Sequence, residues 1–324
     1  MNTVNHASTR TTVLVHLLGN HFPTETIRKQ FPTVDFVSVP TDGAVPDDVV
    51  AEVCITQAAR TDNLAEVLDR GVTWVHELGQ GVDHFPFDQL GERTLTCARG
   101  VNAVPIAEWV VTMLLTAAKQ LPSQWVTEPP PHWVLADLDT LDGSTVAFLG
   151  FGTINRAAAE RLAPFGCHMM AVNRSGFADL DLGIFPGVEV TTDIRKAVAE
   201  ADHIVVGVPL TPATEGMVDE TLFAAMKPGA HLVNIARGRI IDQKAMRRSL
   251  DAGHLELASL DVCDPEPLPA GHWLYHHPRV RLSPHVSWSD PGSIGRLHAA
   301  FADNLERWLA NEPLIDLVDV VAGY

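Results

Sequence analysis

The sequence is poor in cysteine and in cationic side chains and has no long apolar run, and each shortage removes a class of protein. Its four cysteines, Cys54, Cys97, Cys167 and Cys263, stand far apart, and none forms the two-residue-spaced pair that metal and redox sites use. They read as reduced thiols in packed interiors. Lys plus Arg number 23 against 40 Asp plus Glu, a formal net charge of −17. Such a surface repels a phosphate backbone, so nucleic acid is not an expected partner. No apolar stretch approaches the roughly 20 residues of a membrane-spanning helix. The opening MNTVNHASTRTT has neither a basic start before an apolar block nor a small-residue cleavage pattern. A cytoplasmic chain without membrane contact is therefore expected. A metal has one place to look, His272, His276 and His277, but Pro269, Gly271 and Pro278 mark that stretch as a surface loop. No metal is expected.

What is present is a rhythm. At 324 residues the chain exceeds the usual size of one hydrophobic core, so two domains are expected, one of them able to be an insertion. Short apolar runs at Val13 to Leu18, Val34 to Val39, Val53 to Thr56, Trp74 to Glu77 and Leu95 to Ala98 read as strands alternating with helices, the signature of a parallel, helix-covered sheet. Asp62, then Leu64, Val67 and Leu68, then Gly71 predict a capped helix. Pro105 to Leu121 is almost wholly apolar and predicts a long buried helix with proline in its first turn. Pro122 ends it, and Glu128 through Pro131 reads as a stiff connector, which places a domain boundary there. A second strand and helix series runs from Thr145 to about Ser283, and a last amphipathic helix covers Ile294 to Leu309. Neither internal repeats nor low-complexity segments interrupt this order.

The strand Thr145 to Leu149 runs directly into Gly150-Phe151-Gly152-Thr153-Ile154-Asn155, and a helical pattern follows. Gly150 suits a tight turn and Gly152 a close backbone approach to a pyrophosphate resting on the helix N-terminus. Asn155 takes the place of the third glycine, a departure expected to loosen the helix against the sheet. The next strand ends in Asn173-Arg174-Ser175, where an acid normally holds the ribose 2′-hydroxyl of NAD. With an arginine and a serine there instead, NADP is favoured over NAD.

Reducing a keto acid needs a cation for the carboxylate and carbonyl, a proton donor near neutral pH and a group that keeps the donor protonated. Arg237, His285 and Glu266 stand at predicted strand ends of the second series, where open sheets bind ligands. Singly, each has a plainer role: a surface ion pair, a bonded histidine, a loop charge.

Here the chain resembles the D-isomer-specific 2-hydroxyacid dehydrogenase family. The segments that carry the likeness appear in order: Gly79-Gln80-Gly81-Val82-Asp83, Ala107-Glu108-Trp109, Pro209 through Thr214, Met226 through Gly229, Asn234 through Gly238, Asp261 through Leu268 and Ser283-Pro284-His285. The resemblance implies an α/β fold of two Rossmann-like or flavodoxin-like parallel-sheet domains, the nucleotide-binding domain (122–287) inserted into a substrate domain made of 1–121 and 288–324. It implies His285 as proton donor and acceptor, Glu266 on its far nitrogen, and Arg237 as the grip on the substrate, whose carboxylate rests on backbone amides of Gly79, Gln80, Gly81 and Val82. For the cofactor it implies Gly150, Gly152, Thr153, Ile154, Asn173, Arg174, Ser175, Val208, Pro209, Thr214, Ile235, Ala236, His285 and Ser287, with Asp261 accepting from the nicotinamide carboxamide. Trp109 and Trp288 fall where members vary and bear on substrate choice. A homodimer is implied by the same analogy.

The activity so implied is NAD(P)-dependent interconversion of a small 2-keto acid and a D-2-hydroxy acid, of the glyoxylate or hydroxypyruvate reductase kind. A nucleotide-sensing corepressor is the rival outside enzymes, disfavoured because the sequence ends soon after its last helix. Formate dehydrogenation is disfavoured by Glu266, where those relatives carry glutamine, and phosphoglycerate oxidation by the absence of an added regulatory domain.

Overall fold

The computed structural model describes residues 10–18, 24–58, 61–134, 136–174 and 187–324. The chain divides into two compact units, Met1–Val101 with Pro291–Tyr324, and Asn102–Asp290. The first carries β1 (Thr12–His16), α1 (Thr24–Gln30), β2 (Asp35–Ser38), β3 (Val53–Thr56), α2 (Leu64–Leu68), β4 (Trp74–Glu77), α3 (Phe87–Leu90) and β5 (Thr94–Cys97). The second begins with α4 (Ala103–Ala118), β6 (Thr145–Leu149), α5 (Thr153–Leu162), β7 (His168–Val172), β8 (Val188–Thr191), α6 (Ile194–Glu200) and β9 (His203–Val206). It continues with α7 (Glu220–Ala225), β10 (Ala230–Asn234), α8 (Gln243–Asp251), β11 (Leu255–Leu260) and β12 (Val280–Leu282), and α9 (Ser293–Leu309) returns to the first unit.

Each unit is a parallel sheet buried on both faces, which is why its strands read as continuous apolar runs. The first sheet has the order β2-β1-β3-β4-β5. Val13, Val15, Val53, Ile55 and Trp74 pack on Phe301 and Leu305 of α9, with the Trp74 and Phe301 rings stacked at 5.7 Å. Leu14, Cys54, Val75 and Leu95 alternate to the opposite face, under Leu64, Val67 and Leu68 of α2. The second sheet has the order β12-β11-β10-β9-β6-β7-β8, the doubly wound arrangement that binds dinucleotides where the strand order reverses. Among the described residues, no helix is long and apolar enough to cross a membrane.

Two sequence expectations shift. The apolar helix starts at Ala103 and ends at Ala118, and it belongs with the second unit, so the division falls at 101/102 and not at 121/122. Its Val110 and Leu114 share a core with Phe148 of β6 and with Ala158 and Leu162 of α5. A helix apolar on most of its circumference suits either neighbour, and packing decides. Further, α2 has Asn63 and not Asp62 at its N-cap, without a side-chain cap bond. The Asn63 amide is engaged elsewhere, donating to the carbonyls of Pro40 and Gly43.

Candidate active site

The glycine turn sits at the reversal of the second sheet, where β6 and β9 run side by side. Gly150 has φ +84°, and a Cβ there would lie 2.9 Å from Val208 Cγ1 and 3.0 Å from the Gly207 carbonyl. Only glycine suits that position. Gly152 is the N-cap of α5, with nothing within 4 Å of where a Cβ would stand. The first turn of α5 has no acidic residue, so no side chain of that turn competes as an anion for its N–H groups and dipole. A Cβ-free backbone over a helix N-terminus fits a pyrophosphate. Asn155 does not loosen the turn. It is 1% exposed, and its amide donates to the Gly150 carbonyl at 2.7 Å while its side chain fills the space that a Cβ on Gly207 would need. A brace replaces the expected weakness.

Of the remaining cofactor candidates, Thr153 is exposed and Ile154 half-buried on the first turn of α5, and Asn173 and Arg174 follow β7 with Arg174 exposed. Ser175 lies outside the described residues. Thr214 folds its own turn: its hydroxyl donates to the Pro209 carbonyl at 2.6 Å and accepts from the Thr211 amide at 2.8 Å. Ile235 and Ala236 are buried at the end of β10.

The proposed catalytic trio converges within the second unit. His285 Nδ1 lies 2.8 Å from Glu266 Oε2, and Glu266 Oε1 accepts the Cys263 amide at 2.9 Å. Burial would raise the Glu266 carboxyl, but bonds from His285 and Cys263 and the charges of His285 and Arg237 outweigh it and hold it below the ordinary value. Arg237 thus stands within electrostatic reach of the pair. It leaves β10 through Asn234, whose amide donates to the Arg237 carbonyl at 2.9 Å and whose Oδ1 accepts the Ala236 amide at 3.1 Å. Gly238 presses backbone to backbone on Cys263: a Cβ there would collide with the Cys263 carbonyl. The loops bearing Arg237 and Glu266 are therefore in direct contact.

His285 has φ +55°, a conformation non-glycine residues adopt only when the surroundings impose it. Asp261 imposes it. Its backbone carbonyl accepts the His285 amide at 2.9 Å, Oδ1 accepts the Val286 amide and the Ser283 hydroxyl, and Oδ2 accepts the Ser287 amide. The residue assigned from sequence to the nicotinamide carboxamide has its carboxylate committed to the turn that aims His285.

In the first unit, Gly79 to Val82 form a fixed loop after β4. The Gly79 carbonyl accepts the Ala98 amide at 3.0 Å and the Val82 carbonyl accepts the Phe85 amide at 2.9 Å. The Gly79 amide donates to the carboxyl of Glu77.

Comparison with known proteins decides the family. The model described as D-isomer specific 2-hydroxyacid dehydrogenase, NAD binding domain, matches residues 111–287. The chain belongs to the D-isomer-specific 2-hydroxyacid dehydrogenases. It is 30% identical to the glyoxylate reductase/hydroxypyruvate reductase of Homo sapiens over 250 residues, 74% of this chain and 75% of that one. It is also 30% identical to the chloroplastic/mitochondrial formate dehydrogenase of Arabidopsis thaliana over 240 residues, 72% of this chain but 62% of that one. A 2-hydroxyacid dehydrogenase of Xanthobacter autotrophicus Py2, solved with NADPH and MES, superposes with a TM-score of 0.83 at 25% identity, covering 97% of this chain and 100% of that one.

As a 2-hydroxyacid dehydrogenase the chain is an NAD(P)-dependent oxidoreductase acting on CH–OH donors. Sequence reasoning for this dehydrogenase missed Asn234 and Glu77. Asn234 had a signal, a polar residue ending a buried strand just before the arginine. Glu77 had none, since an acid at a strand end reads as a solvated charge.

Proposed function

We propose that this dehydrogenase reduces a small 2-keto acid of the glyoxylate or hydroxypyruvate kind to the D-2-hydroxy acid, with NADPH as reductant. The observation that carries the reading is the 2.8 Å contact of His285 Nδ1 with a carboxylate held in its ionised form. A carboxylate on Nδ1 fixes that nitrogen as the protonated one and steadies the imidazolium, leaving Nε2 to give its proton to the substrate oxygen. Arg237 holds the substrate carboxylate and polarises the carbonyl, and the loop amides of Gly79 to Val82 supply an anion nest. Gly150, Gly152 and the first turn of α5 would hold the pyrophosphate of NADPH and Val208 would line its adenosine side, and when bound that cofactor would supply the hydride.

Arg174, exposed at the end of β7 where no acid stands, supports the preference for a 2′-phosphate. A homodimer is supported by the segment after α4, which leaves Trp125 70%, Trp133 68% and Val134 98% exposed, apolar side chains that a second copy would cover. The cytoplasm is the compartment proposed, consistent with four free thiols.

A panel of glyoxylate, hydroxypyruvate, pyruvate and 3-phosphohydroxypyruvate with NADPH and with NADH tests the reading. The expected result is highest kcat/KM for a two- or three-carbon keto acid with NADPH. No oxidation of either cofactor with any of the four overturns the reaction, and a clear preference for NADH overturns the cofactor assignment.

A further inference from the structure

Beneath the first amide of the Gly79 loop lies an acid for which the proposed reaction has no use. Glu77, the last residue of β4, is 7% exposed. One carboxyl oxygen accepts the Ala58 amide at 3.0 Å, and the Gly79 amide donates to the same carboxyl. From β3 it faces the Cys54 thiol and from β5 the Cys97 thiol, with Arg99 and Asp316 acting on Cys97 from beyond. Among the described residues, the turn after β3 offers it the Ala58 amide. The loop above is pinned by Ala98 to Gly79 and by the Cys97 thiol, 3.8 Å from the Gln80 carbonyl. Thus Glu77 is the side chain on which the loop's leading amide rests.

We propose that Glu77 is the positioning residue of the Gly79 to Val82 loop, and that the charge on its buried carboxyl sets how firmly the loop amides hold an anionic carboxylate. The proposal rests on the reading that this loop takes the substrate carboxylate. An ionised Glu77 attracts the Gly79 amide inward and opposes a second anion across a few residues of low-dielectric interior, whereas a neutral one does neither. Burial raises its pKa to about 7 against the opposing pull of the Ala58 and Gly79 amides, so the group changes charge across the neutral range. Anion binding favours the protonated form, and by linkage a proton is taken up when the anion binds.

The test is KM for glyoxylate, with NADPH saturating, at pH 6 and pH 8 in wild type and in Glu77→Gln, alongside binding of oxalate by calorimetry in two buffers of different ionisation enthalpy. In wild type KM rises about tenfold between the two pH values, and oxalate binding takes up a proton. In Glu77→Gln the rise disappears from KM while the pH profile of kcat keeps its shape, and the Glu77-linked proton uptake is lost. A pH-dependent KM that persists unchanged in Glu77→Gln overturns the proposal, as does a wild-type KM that is flat. Should Glu77→Gln not fold, Glu77→Asp is read for a displaced midpoint of the KM profile, and an unmoved midpoint overturns it. If wild type reduces no keto acid, the functional reading fails separately, and the oxalate titration alone decides: uptake smaller in the variant than in wild type supports the role of Glu77, and equal uptake in the two, or no oxalate binding, ends it.

Discussion

Each sheet reverses its strand order once, between β1 and β3 in the first unit and between β6 and β9 in the second, and the two reversals are finished in opposite ways. In the first, the strand ends carry His16 and Thr56, 3.0 Å apart at Nδ1 and Oγ1, with His16 Nε2 2.9 Å from Asn63 Oδ1. The polar atoms satisfy one another and the gap is filled by imidazole. In the second, the strand ends lead into Gly150 and Gly207, and no side chain of theirs occupies the crevice. A doubly wound sheet offers a ligand crevice wherever it reverses, and the residue at the strand end decides whether it stays open. The contrast is one of side-chain volume and not of topology.

The sharpest way to break the contrast is at the chemistry the second unit supports. His285→Ala should lower turnover by about 10²- to 10⁴-fold with NADPH affinity kept, measured by steady-state rates beside cofactor fluorescence titration. Retained turnover removes His285 from the reaction. Next, Gly150→Ala forces a side chain into left-handed backbone against Val208. A strain of about 1–3 kcal/mol should raise the NADPH Kd by about 10- to 100-fold, and an unchanged Kd would show that the turn does not face the cofactor.

The first unit should answer differently. His16→Ala should cost about 1–3 kcal/mol in urea unfolding and leave the NADPH Kd alone; a weakened Kd would erase the distinction between the two reversals. Burial lowers the His16 pKa, opposed by its bond to Asn63, so the folded chain keeps it neutral while the unfolded chain takes a proton below about 6.5. Its contribution to stability is complete above that pH and declines as pH falls, and His16→Ala should show a shallower acid limb. Smallest of all, Arg174→Ala should raise KM for NADPH by about tenfold and leave NADH almost unaffected; equal effects on both cofactors would make Arg174 a plain surface charge.

Much of this was legible beforehand because local chemistry dictated it. The strand at Thr145 to Leu149 and its glycine turn needed no partner to be recognised, since Gly150 and Gly152 serve a backbone geometry that few other residues adopt. Arg237, Glu266 and His285 were legible as an ordered set, although only tertiary packing brings them together. What stayed hidden depended on which of several neighbours a side chain chose. The helix from Ala103 was apolar enough for either unit. Asp261 at a strand end looks the same on paper whether it meets a ligand or ties a turn. Asn155 in a glycine position signalled a loss, and the compensating bond to Gly150 is visible only once the turn is folded.

The abutment of Gly238 against Cys263 carries a consequence for how this enzyme could change over generations. Because the strand-end segments of Arg237 and Glu266 meet main chain to main chain at Gly238 and Cys263, any bulk added at 238 would drive apart the residue proposed to grip the acid and the residue that tethers its proton donor. The trio is thus inherited as a block. A lineage that acquires a taste for a different acid would have to leave this junction alone and remodel surrounding walls, with Trp109 and Trp288, packed at the margin of the second unit's core, as the first places to look.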